Sequence, residues 1–207
     1  MQVARLILVV LCLIGASLQV SAFTEDMPLV SASKQKIKEM SQLLKKEPKN
    51  VQAYVTRAAA RMELGDLYGA IKDYSAAEEL SPEDKTSILI GRGNAFLEIG
   101  AYKEALKDFD AVLEKASSPE AQYGRAAAKY FLDDLFGAMR DLDEVVTEKP
   151  EHSKALFNRA IVKMDLNQLE GAVSDLKAFL AYHPDHKDAQ NALASANDQL
   201  GRRFARR

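Results

Sequence analysis

The stretch His183-Pro184-Asp185-His186-Lys187-Asp188 brings imidazoles and carboxylates together at short spacing. His183, His186 and Asp188 are ligand types that zinc accepts, but a closed zinc site needs four ligands, and a fourth is missing nearby. The remaining histidine, His152, stands in "KPEHSK", the matching place of the preceding unit of the chain. That recurrence reads as a turn that tolerates polar side chains, so no metal is expected. Gly91-Arg92-Gly93 could open a phosphate-binding loop. The dinucleotide fingerprint needs a further glycine three residues on, where Phe96 stands, and a strand in front, for which Ser87 to Ile90 is too short. Asp133 and Asp134 are adjacent in a turn, with no apolar pocket to separate their pKa values for acid–base work. The histidines all fall in turns, and no Ser-His-Asp grouping is suggested. No catalytic residue, no cofactor and no enzymatic activity are expected.

The elements that hold these residues repeat. Aligned on Ala70, Ala105, Ala138 and Ala172, the same frame returns in "ELGDLYGAIKDYSAA", "EIGAYKEALKDFDAV", "FLDDLFGAMRDLDEV" and "DLNQLEGAVSDLKAF", at steps of 35, 33 and 34 residues. Each unit reads as two helices. In the first, Tyr54, Ala58, Met62 and Leu64 form one helical stripe, and Ala70, Ile71, Tyr74, Ala77 and Leu80 form another. The turn between them falls at Gly65, Gly100, Asp133 and Asn167. Glycine, and after it Asn and Asp, best tolerate the left-handed backbone that ends a helix. Arg57, Arg92, Arg125 and Arg159 each precede an aspartate by sixteen residues: Asp73, Asp108, Asp141 and Asp175. In a helical hairpin such positions meet. Arg fits a carboxylate bidentately, so these pairs predict a structural ladder of salt bridges rather than a row of anion receptors.

This frame resembles the tetratricopeptide repeat family over about residues 51 to 184. The likeness rests on Tyr54, Leu89 and Leu156, the small residues Ala58, Gly93, Ala126 and Ala160, the turn residue, the alanine, and the closing Pro82, Pro150 and Pro184. Gln122 and Ser117 depart from the pattern in the third and second units. The resemblance implies an all-α solenoid of antiparallel helix pairs in a right-handed superhelix. Four repeats span 51–84, 85–118, 119–152 and 153–186, with a capping half-repeat at 34–50 and a capping helix at 187–200. It also implies a concave groove lined by the first helix of each repeat. The matching places hold Val55, Thr56, Ala59, Met62, Ile90, Asn94, Leu97, Tyr123, Ala127, Tyr130, Phe157, Asn158, Ile161 and Met164, with Lys154 at one edge. Tyr123, Tyr130 and Phe157 are expected at its middle, where aromatic rings supply contact area. Relatives that clamp the C-terminal carboxylates of Hsp70 and Hsp90 use two Lys, two Asn and an Arg. Here Asn94 and Lys154 match, but Ile90, Gly124 and Asn158 stand where Lys, Asn and Arg are expected, so the clamp is incomplete. His183-Pro184-Asp185 is similar to the J-domain signature, but Pro184 closes a repeat, and no J-domain activity is expected.

The first residues read as a leader. "MQVARLILVVLCLIGASLQVSA" has Arg5, an apolar run from Leu6 to Ile14 and a Val20-Ser21-Ala22 end. That pattern predicts a signal peptide over 1–22, cut after Ala22, and hence a periplasmic, secretory-lumen or extracellular location. The only cysteine, Cys12, falls inside it. Residues 23–33 contain Pro28 and no periodicity and are expected to be mobile. "GRRFARR", 201–207, reads as a solvated basic tail. The formal net charge of −2 argues against nucleic acid as a partner. These features predict a non-enzymatic scaffold that holds a protein or peptide partner in its groove. The alternative is a chaperone-like holdase for unfolded clients, and peptide selectivity distinguishes the two.

Overall fold

The computed structural model describes residues 28–81 and 85–205. The leader at 1–22, Phe23 to Met27, Pro82 and the last two arginines lie outside the described residues. Among the described residues there are ten α-helices and no strand. They are α1 (Pro28–Lys46), α2 (Val51–Glu63), α3 (Leu67–Leu80), α4 (Thr86–Glu98), α5 (Tyr102–Leu113), α6 (Pro119–Phe131), α7 (Leu135–Glu148), α8 (Ser153–Asp165), α9 (Leu169–Tyr182) and α10 (Lys187–Ala205). The chain divides into two compact units, with the boundary at Gly124 and Arg125.

Each hairpin turns on one left-handed residue. Gly65, Gly100, Asp133 and Asn167 have φ of 74°, 79°, 67° and 58°. Around each the backbone closes the same pair of bonds. Gly65 N–H reaches Met62 O at 3.0 Å and Asp66 N–H reaches Arg61 O at 2.9 Å. In the fourth repeat Asn167 N–H reaches Met164 O at 3.0 Å, and Gln168 N–H reaches Lys163 O at 2.8 Å. These bonds use carbonyls that the helix end would otherwise leave open. In two of the hairpins the next helix then starts on a capping side chain: Asp66 Oδ1 accepts from Gly69 N–H at 3.0 Å, and Asp134 Oδ1 accepts from Gly137 N–H at 2.9 Å.

Across each turn runs a bidentate ion pair. Arg57 Nε and Nη2 donate to Asp73 at 2.8 and 2.7 Å, and Arg92 to Asp108 at 2.7 and 2.8 Å. Arg125 meets Asp141 at 2.8 Å through both nitrogens, and Arg159 meets Asp175 at 2.8 and 2.7 Å. All four aspartates are buried. Two features of this ladder have no counterpart in the sixteen-residue rule. A second cation, one helical turn after the arginine, shares the carboxylate: Arg61 at 2.8 Å from Asp73, Lys129 at 2.7 Å from Asp141 and Lys163 at 2.7 Å from Asp175. In the second repeat that place is Phe96, whose ring lies 5.9 Å from the Arg92 guanidinium. The arginine's third nitrogen also reaches back to the preceding hairpin. Arg57 Nη1 donates to Ser41 at 3.1 Å, Arg92 Nη1 to Ser75 at 3.1 Å and Glu78 at 2.6 Å, and Arg159 Nη1 to Asp143 at 2.9 Å. Each of these three arginines therefore joins three helices. Burial pushes the Glu78 carboxyl up, but the Arg92 hydrogen bond and charge outweigh it and hold the group below the ordinary glutamate range.

The core of the N-terminal unit is small residues around a few rings. Ala58, Ala70, Ala77 and Ile88 pack with Tyr74, and Val51, Tyr54, Val55 and Met62 close over them. Close approach explains the Gly-Arg-Gly stretch, which lies inside α4 rather than ahead of it. A β-carbon on Gly91 would sit 2.5 Å from the Tyr74 ring, and one on Gly93 would sit 2.8 Å from the Phe109 ring. In the C-terminal unit Leu142, Val145, Phe157, Leu169 and Leu176 are almost wholly buried.

Both chain ends correct the sequence reading. Residues 28–33, expected to be mobile, are the start of α1. Ser33 is buried there, and its hydroxyl bonds Leu29 O and the Glu63 carboxylate, which ties the segment to α2. At the other end α10 continues past 200 to Ala205. Arg202 pairs with Asp198 one turn back at 2.9 Å, so Gly201 to Ala205 extends the capping helix.

Candidate partner-binding site

Of the residues expected to line a groove, the described structure leaves some open to solvent and buries others. In the N-terminal unit, Ile90 and Asn94 stand one turn apart on α4 and line a cleft of about 540 Å³. Its other walls are Tyr74 from α3, Thr86, Ser87 and Gly91 from α4, and Ser118 and Glu120 at the start of α6. Ser118 Oγ accepts from Ala121 N–H at 3.3 Å, which caps α6 and fixes that rim. Ile90 and Tyr74 are mostly buried and form an apolar floor, while Asn94 is half-buried and Glu120 exposed. Burial raises the Tyr74 phenol pKa, so it stays a neutral hydrogen-bonding group. Tyr123, on α6, is half-buried and is not among the residues that line this cleft.

In the C-terminal unit the groove assignments need correction. Phe157 has no exposed surface; its ring lies 5.1 Å from Phe179 and 5.5 Å from His186. It is a core side chain and is closed to a partner. Asn158, Ala127 and Ile161 are 5%, 4% and 8% exposed, and Tyr130 is 9% exposed with its hydroxyl donating to Asp165 at 2.8 Å. Ala127, Tyr130 and Asn158 instead line a narrow crevice of about 10 Å³, near the space of a single water. The physical reason is the environment of α8. Its buried residues, Ala155 to Asn158 and Ala160 to Val162, go right round the helix, so it has no free face along its middle. Met164, half-buried, and Lys154, exposed, are the expected groove residues that keep surface in this unit.

Sequence reasoning missed Thr86, Ser87, Ser118 and Glu120. They precede the groove places on their helices, and small hydroxyl residues at helix starts read as caps. The histidines are likewise resolved: His152 and His186 each use Nδ1 to accept a backbone N–H at a helix start, at 3.0 and 3.2 Å. No group of three metal-ligating side chains forms among the described residues. No described helix is long and apolar enough to cross a membrane.

Helical hairpins with left-handed turns, buried Arg–Asp pairs and small residues at the crossings define an all-α solenoid of helix pairs. The chain belongs to the tetratricopeptide repeat family: that family's sequence profiles match residues 51–84, 90–151 and 157–202. Tetratricopeptide repeat proteins are generally non-enzymatic interaction scaffolds, and this chain is a protein-interaction scaffold of that kind. No curated protein matches it in sequence. Among solved structures, it is similar to YrrB, described as a tetratricopeptide protein with an unusual peptide-binding site, at 20% identity and TM-score 0.65, over 78% of this chain and 84% of that one. MamA from Desulfovibrio magneticus RS-1 is similar at 17% identity and TM-score 0.68, over 75% of this chain and 88% of the other. The first tetratricopeptide domain of Spaghetti, bound to the HSP90 peptide SRMEEVD, is similar at 26% identity and TM-score 0.53, over 55% of this chain and 91% of that one.

Proposed function

We propose that this scaffold holds an extended peptide segment, neutral or basic rather than acidic, in the cleft between α4 and the start of α6. The observation that carries the reading is that cleft: about 540 Å³, with Ile90 and Tyr74 as its floor and Asn94, Thr86, Ser87 and Ser118 as polar walls. Its size suits several residues of a peptide, and its mostly polar walls over a small apolar floor suit contacts to a peptide backbone. The Asn94 amide has both a donor and an acceptor to offer a peptide backbone. Glu120 is the charged residue on the wall. A carboxylate there attracts a Lys or Arg side chain and repels an acidic tail. The peptide-bound structure of Spaghetti and the description of YrrB support peptides as the ligand class.

The test is a peptide array with neutral, basic and acidic members, followed by titration of the best binder. Asn94→Ala is expected to weaken it about tenfold through a lost hydrogen-bonding pair, with an unchanged melting temperature. Preference for acidic C-termini, or indifference to Asn94→Ala, overturns the cleft reading. The holdase is the second reading, favoured by Tyr68 and Phe136, which are 76% and 74% exposed. It predicts broad apolar preference without dependence on Asn94. The reading also includes export through the leader. N-terminal sequencing of the protein from its own cell is expected to begin at Phe23; intact Met1 in membranes would mean an anchor.

A further inference from the structure

His152 and His186 sit 34 residues apart at matching turns, and both cap a helix. Nδ1 of His152 accepts the Ala155 N–H at 3.0 Å at the start of α8, and Nδ1 of His186 accepts the Ala189 N–H at 3.2 Å at the start of α10. The first amides of a helix have no acceptor within it, so a side-chain cap satisfies them. Elsewhere this chain uses Asn50, Asp66 and Asp134. An imidazole can replace them only while neutral, with its proton on Nε2 and the Nδ1 lone pair free. Protonation turns the acceptor into a donor aimed at another N–H. It also places a positive charge at the positive end of the helix dipole. An aspartate cap gains no such penalty in that range of pH.

We infer that the fourth repeat and α10 form an acid-labile element: protonation of the capping imidazoles removes both caps, the starts of α8 and α10 open, and the aromatic face under His186 is uncovered. At His152 burial in the turn opposes a positive charge most, a bond to its own backbone favours one, Lys149 and Lys154 oppose it and Glu151 favours it, with the balance against the proton. Around His186, α8 and α9 present the rings of Phe157 and Phe179, at 5.5 and 5.1 Å. The His183 ring lies tilted against Phe179 at 4.8 Å, and Asp185, Lys187 and Asp188 are the charged residues of the same turn. Charging His186 sets a donor against the N–H it caps; the rings of Phe157 and Phe179 attract a cation, so the lost cap is what opposes the charge.

Amide hydrogen exchange of the full chain tests this, read at pH 7.5 and 5.5 and corrected for the intrinsic rate. The first turns of α8 and α10 are expected to exchange about tenfold faster at the lower pH, the worth of one cap. The starts of α2 and α7, capped by Asn50 and Asp134, should hold. Asparagine keeps the acceptor and does not titrate, so His152→Asn should abolish the response at α8 alone, and His186→Asn at α10 alone. The double variant should abolish both. An acid response that persists in these variants, or that spreads evenly along the chain, overturns the inference. If the double variant fails to fold, the two single variants still decide it, each at its own helix.

Discussion

Asp108 and Asp141 are both buried, but they differ in the cations around them. Asp141 is held by Arg125 and by Lys129, at 2.8 and 2.7 Å. Asp108 is held by Arg92, and Phe96 occupies the place of the second cation. Removing an arginine leaves a buried carboxylate to be desolvated without full compensation, which costs more than the pair itself contributes. Arg92→Ala is therefore expected to destabilise by about 3–5 kcal/mol, and Arg125→Ala by about 1–3 kcal/mol because Lys129 remains. Urea denaturation of both variants checks the order. The double variant Arg125→Ala with Asp141→Ala should recover part of the loss; simple additivity would show that the two are uncoupled. Arg92 also bonds Glu78, so a reversed order would mean that the carboxylates, rather than the second cation, set the cost.

At the scale of the helical hairpin, four turns make one backbone demand and meet it with three residue types. A left-handed residue with a β-carbon is strained by about 1 kcal/mol, less for Asn and Asp. Asn167→Gly is accordingly expected to be neutral or stabilising by up to about 0.5 kcal/mol, against the extra entropy of an unfolded glycine. Gly65→Ala should destabilise by about 1–2 kcal/mol, although open space surrounds that position, because the strain lies in φ and not in packing. Equal effects of the two substitutions in thermal melts would contradict the left-handed geometry.

Over the whole molecule, acid should act in two steps. His152 binds its proton less readily folded than unfolded, chiefly because it is buried. Between the folded value and about 6.5, the unfolded chain carries more protons, so stability is full above that range and falls as pH drops through it. Glu78 has its folded pKa lowered: burial opposes, but Arg92 prevails. Its contribution is present above about 4.3 and is lost as pH falls further, toward the folded value. Chemical denaturation at pH 7.5, 5.5 and 3.5 is expected to show a first loss that His152→Asn diminishes and a second that it leaves in place.

The periodicity of the sequence determined the helix pairs, because a turn residue, a small residue and an Arg–Asp spacing are local demands that each repeat must meet for itself. Gly65, Gly100, Asp133 and Asn167 could be read as left-handed from residue type alone, and the arginines could be given their aspartates by counting. The second cations at Arg61, Lys129 and Lys163 followed from the same helical spacing, but a lysine on a helix surface looks solvated until the buried carboxylate beneath it is seen. Burial on α8 was beyond reach. Phe157, Asn158 and Ile161 occupy the same repeat places as residues with free surface in other hairpins, and only packing by α7, α9 and α10 decides that this helix has no open face. Likewise, Ser118 and Glu120 belong to the cleft because the start of α6 lies beside Ile90 and Asn94 in space. A repeat pattern specifies what each unit needs from its own residues; which surfaces remain uncovered depends on neighbours distant in the chain, and that is settled by tertiary contact.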